Sequence, residues 1–73
     1  DDSGLTAPMP GKILDVLVSV GQNVKAGDAL MVMEAMKMEH KIVAGHDGIV
    51  EAVNYNTGDQ VIQGAELLSI SES

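Results

Sequence analysis

Lys37 lies in the run Glu34-Ala35-Met36-Lys37-Met38-Glu39-His40, a primary amine held between two thioethers and, further out, two carboxylates. A lysine amine can act as a nucleophile or as a covalent attachment point. Unaided it is a poor nucleophile, because a free lysine has a pKa of about 10.4, so an outside catalyst must take its proton. Other chemistry-bearing residues do not assemble. His40 and His46 have no third ligand at a metal-binding spacing and read as surface residues. The chain has no cysteine, which removes thiolate metal sites and disulfides and is compatible with a reducing compartment. No glycine-rich phosphate loop and no nucleophile–base–acid set can be built.

The elements that must position Lys37 are strands. Alone, the heptapeptide favours helix, but a seven-residue helix isolated between strands is marginal. Glycines at 11, 21, 27, 48, 58 and 64 punctuate short runs rich in Val, Ile and Leu. Gly-Gln-Asn, Gly-Asp, His-Asp-Gly and Asn-Thr-Gly-Asp supply turn chemistry between them. "KILDVLVSV" and "DALMVME" therefore read as strands, the first with a bulge or two-sided burial because its alternation is imperfect. "EAMKMEH" reads as a hairpin whose turn holds Ala35 to Met38, although it contains no Gly, Asn or Pro. Gly21, Gly27, Gly58 and Gly64 are expected to serve positive backbone dihedrals at turns.

A gapless shift of 37 residues pairs positions 2–36 with 39–73. Seven pairs are then identical: Ala7/Ala44, Gly11/Gly48, Val16/Val53, Gly21/Gly58, Val24/Val61, Gly27/Gly64 and Leu30/Leu67. Average composition would give roughly two or three. Leu5/Ile42, Ile13/Val50 and Met33/Ile70 are apolar in step. Two copies are too few for a solenoid, so they are expected to close one shared core. Lys37 and Met38 fall at the crossover between copies. A two-fold relation would put the chain termini in the equivalent place at the other end, a geometry suited to a tethered carrier.

Composition narrows the function classes. At 73 residues the chain is one small domain, and its 45% apolar content must build an aliphatic core around a single aromatic, Tyr55. That leaves no room for an enclosed active site. Four lysines against eleven acids give a formal charge of −7, which repels phosphate backbones and argues against nucleic-acid binding. There is no run of 18 apolar residues and no basic-then-apolar opening, so neither a membrane span nor a signal peptide is read. Lys12, Lys25 and Lys41 read as surface charges.

The sequence resembles the biotinyl domains of biotin-dependent carboxylases and decarboxylases. Ala35-Met36-Lys37-Met38 matches their attachment sequence, "APMPGKI" opens the first repeat, "VGQNVKAGDALMVMEAMKME" runs into the site, and "DGIVEAV" with "NTGDQVIQGAELLSI" completes it. The likeness covers residues 5–70. It implies an all-β fold, a flattened β-barrel or sandwich of two four-stranded antiparallel sheets with quasi-two-fold symmetry. Pro10-Gly11-Lys12 passes straight into the next strand, so no thumb insertion is expected. Gly45 stands where many relatives have proline, a departure that bears only on local loop rigidity.

The resemblance also implies roles. Biotin would be attached covalently at Lys37 by a biotin protein ligase, the amine attacking the mixed anhydride of biotin and AMP. The domain, non-catalytic and monomeric by itself, would then carry a carboxyl group between biotin carboxylase and carboxyltransferase sites. Met36 and Met38 would serve recognition, while Met31 and Met33 read as core. Ala35, Glu34 and Glu39 are candidates for ligase recognition, although the two glutamates serve simple solubility equally well. "MVMEAMKMEH" looks most like the alpha subunit of acyl-CoA carboxylases of the 3-methylcrotonyl-CoA type, and "DDSG" (1–4) like the end of a linker before a carrier domain at 5–73. Cytoplasm and mitochondrial matrix both fit that reading. A lipoyl domain shares the implied fold but usually presents Asp-Lys-Ala; an unmodified β-barrel interaction module would have a dispensable lysine.

Overall fold

The computed structural model describes residues 4–72. Asp1–Ser3, part of the segment 1–4 read above as linker, and Ser73 lie outside the described residues, while Gly4 already opens the first strand. Eight strands follow in order: β1 Gly4–Thr6, β2 Gly11–Val16, β3 Asn23–Val24, β4 Ala29–Ala35, β5 Met38–Val43, β6 Gly48–Val53, β7 Gln60–Val61 and β8 Glu66–Glu72. They form two four-stranded antiparallel sheets, β1-β8-β6-β3 and β5-β4-β2-β7. Each sheet takes two strands from each copy of the repeat, so neither copy can complete a sheet alone.

The 37-residue symmetry reaches individual hydrogen bonds. The Gly21 N–H donates to the Val50 carbonyl (2.8 Å), and the Gly58 N–H to that of Ile13 (2.7 Å). Gly27 bonds Ala44 (2.8 Å) as Gly64 bonds Ala7 (2.9 Å). The expected bulge in the first strand lies between Ile13 and Asp15 where β2 meets β4, and its mate between Val50 and Ala52 where β6 meets β8. Gly21, Gly27, Gly58 and Gly64 all have φ between 85° and 95°, the backbone state anticipated for them. Gly11 and Gly48 serve differently. A Cβ on Gly11 would strike the Glu34 carbonyl and one on Gly48 the Ser71 carbonyl, so both are places where strands press together.

The core is aliphatic. Ile13, Leu30, Met31, Met33, Val50, Leu67, Leu68 and Ile70 are its fully enclosed members, and Tyr55 packs against it partly buried. Met31 and Met33 are core, as read from the sequence. "KILDVLVSV" is strand only through Val16: beyond it the chain leaves its sheet, after the Leu17 N–H bonds the Leu30 carbonyl (2.9 Å), and crosses to the other sheet as β3.

Strand directions place the ends of the molecule. β4 runs towards Lys37, and β5 runs back to the loop at 44–47, where Gly48 opens β6 and pairs with Glu72. The Lys37 turn and the end of β8 therefore lie at opposite ends.

Candidate functional site

The β4–β5 hairpin is six residue pairs long, from Ala29↔Val43 to Ala35↔Met38, which leaves Met36 and Lys37 as a two-residue loop. Their φ values are +54° and +65°. Positive φ at both central positions is the signature of a type I′ turn, whose twist suits a hairpin and which normally uses Asn-Gly. For residues with a Cβ this state costs about 1–2 kcal/mol each. The ladder below imposes it: Met33 and Ala35 on one face are buried in the core and hold the register to the last pair. Lys37 is thus exposed on a strained tip.

The side chains beside it divide by face. Met36 is 82% exposed and Met38 61%, while Ala35 between them and the core is buried. On the outer face Glu39 pairs across to Glu34, Glu34 to Lys12 and Lys12 to Gln60, a row spanning the sheet one step below the turn. Glu34 and Glu39, like charges directly opposite, disfavour the hairpin slightly. Of the residues singled out from the sequence, the hairpin brings together Glu34, Ala35, Met36, Lys37, Met38 and Glu39. Lys12, Lys25 and Lys41 are exposed, as read.

Two residues were misjudged or missed. His40, read as a surface residue, is only partly exposed; it pairs with buried Met33, on the inner side of the sheet, and its Nε2 is buried without a hydrogen-bond partner among the described residues. The signal lay in the alternation, because His40 shares a face with Ile42 two residues on. Ile62 was not singled out, yet it is 74% exposed. It follows Val61, which pairs with Gly11 beside Ala35 just below the turn, so it lies at the Lys37 end, roughly 10 Å or two strand spacings to the side. Alternation after inward Val61 was its signal.

Residues 3–70 match the family described as "Biotin-requiring enzyme". The biotin carboxyl carrier protein of Streptococcus mutans serotype c is 49% identical over 67 residues, 92% of this chain and 52% of that protein. The mitochondrial methylcrotonoyl-CoA carboxylase subunit alpha of Rattus norvegicus is 51% identical over 69 residues, 94% of this chain and 10% of the subunit. The chain spans about half the length of the first and a tenth of the second. Part of a single-chain, multi-domain long-chain acyl-CoA carboxylase superposes with TM-score 0.90 at 31% identity, covering 96% of this chain and 7% of that one. The lipoyl domain of the 2-oxoglutarate dehydrogenase complex from Azotobacter vinelandii gives TM-score 0.83 at 24% identity, with 94% and 95% covered; that likeness is one of fold alone.

Proposed function

This chain belongs to the biotin-requiring enzyme family, and we propose that Lys37 is the residue to which biotin is joined, by an amide between Nζ and the cofactor's carboxyl group. The chain is a biotin carboxyl carrier domain and not itself a catalyst. The observation that carries the assignment to Lys37 is the exposed amine on a type I′ tip, flanked by two exposed thioethers. The residues fit the group: an amine outside the core can be acylated without disturbing any packed side chain. Bound biotin supplies a ring nitrogen that holds a carboxyl group for transfer.

What the chain supplies is position. The two ladders of β4 fix the hairpin base, the turn points the lysine away from the sheets, and the end of β8 lies at the opposite end. An attached group can then reach sites beyond the body of the domain, and tethering raises its local concentration there. Met36 and Met38 offer flexible, polarizable surfaces able to fit several partners in turn. Those partners are a biotin protein ligase, which brings the general base that the lysine lacks, then biotin carboxylase and carboxyltransferase sites of one assembly. Glu34, Glu39 and buried Ala35 set the shape and charge that the ligase meets. The parent enzyme is an acyl-CoA carboxylase of the methylcrotonoyl-CoA type.

The fold does not choose between biotin and lipoate, since a lipoyl domain shares it; the methionines do. Offered biotin with ATP and a biotin protein ligase, or lipoate with ATP and a lipoate ligase, the chain is expected to gain one biotinyl increment in intact mass and no lipoyl increment. A lipoyl increment without a biotinyl one would reverse the assignment.

A further inference from the structure

The five methionines divide sharply by exposure. Met31 and Met33 are fully enclosed in the core, Met9 is half-buried, and Met36 and Met38 are open to solvent at 82% and 61%. Both open thioethers adjoin Lys37. Thioethers are oxidised by peroxides according to access, so the chain's most oxidisable sulfurs border the amine that must be recognised. We propose that Met36 and Met38 form a redox-sensitive modification site whose conversion to sulfoxide switches Lys37 off as a biotin acceptor. The inference rests on the acceptor role assigned to Lys37 above.

The chemistry is an oxygen transfer. A sulfur lone pair attacks one peroxide oxygen, the O–O bond breaks and an S–O bond forms. Sulfur loses two electrons, the oxygen bonded to it gives up its proton, and the other oxygen takes up a proton and leaves as water. The product replaces a flexible apolar side chain with a polar, chiral one. A ligase surface shaped for thioethers would then have to desolvate an S–O dipole without a donor for it, which disfavours docking. The domain itself loses nothing, because neither side chain contributes to the core. Oxidation of Met31 or Met33 would instead break the packing. Peroxide damage of the fold and loss of acceptor function are therefore separable, and methionine sulfoxide reductases can reverse the latter.

The test treats the folded, unbiotinylated chain with graded hydrogen peroxide, maps sulfoxides by peptide mass spectrometry and measures biotin transfer by a biotin protein ligase. Met36 and Met38 are expected to oxidise first, Met9 later, and Met31 and Met33 only on unfolding. The kcat/KM for transfer should fall about tenfold or more, corresponding to roughly 1.4 kcal/mol or above, at an unchanged melting temperature, and recover with reductases A and B. In the Met36→Leu/Met38→Leu variant, whatever rate remains should be insensitive to peroxide. Undiminished transfer to a chain oxidised at both positions would overturn the proposal, as would an equal peroxide loss in the double variant. Failure of the untreated chain to take biotin at Lys37 would instead overturn the acceptor reading itself.

Discussion

The two ends of this domain are built by the same two-fold repeat and carry different residues. At the end where β8 closes, the Lys25–Asp28 turn and the 44–47 loop are tied by carboxylates: the Lys25 N–H donates to Asp28 Oδ2 and the Ala26 N–H to Asp47 Oδ1, both at 2.9 Å. At the Lys37 end the same positions, 37 residues away in sequence, hold Ala65 and Pro10, which offer no carboxylate. Ile62 stands where its mate is Lys25, and Pro8 where its mate is Gly45. With Met36 and Met38, these positions add apolar side chains at the lysine's end, while at the other end the equivalent loops are tied by carboxylates. Symmetry accounts for the fold, and the departures from it set the lysine's end apart from the other.

That contrast can be broken from either side. The largest effect is expected at the carboxylate-tied end. Asp47→Ala leaves the Ala26 N–H without its partner and should lower stability by about 1 kcal/mol, read from urea denaturation, whereas Pro10→Ala at the equivalent position should change it by less. A smaller effect of opposite sign is expected at the tip. Met36→Asn relieves the left-handed strain and should raise stability by about 0.5 kcal/mol while lowering kcat/KM for biotin transfer, so that a gain in folding accompanies a loss in recognition. The smallest is at Ile62. Replacing it by its mate's residue, Ile62→Lys, should move stability by less than about 0.5 kcal/mol, because the side chain is exposed. Its effect on ligase kcat/KM should be smaller than that of Met36→Asn.

Much of this was legible in the chain itself. The 37-residue repeat predicted matched halves, and the structure repeats even the bulges at Ile13/Asp15 and Val50/Ala52. The hairpin at Ala35–Met38 was legible against local helix propensity because the strands on each side leave no room for a helix. The sign of φ at Met36 and Lys37 was not, since neither residue type prefers the left-handed region; the buried ladder below imposes it. The exchange of strands between sheets was hidden too, because identities between copies say nothing about which copy a strand pairs with. His40 was missed for a simpler reason: between Glu39 and Lys41 it looks solvated, and only its phase with Ile42 puts it on the inner side.

The assignment of the acceptor is tested most directly by site mapping. Wild-type chain and Lys37→Arg are incubated with biotin, ATP and a biotin protein ligase, then analysed by intact mass and peptide fragmentation. A single biotinyl group at Lys37 in the wild type and none in the variant, with equal melting temperatures, is the predicted result. Biotin on Lys12, Lys25 or Lys41, or an increment that survives in Lys37→Arg, would contradict it.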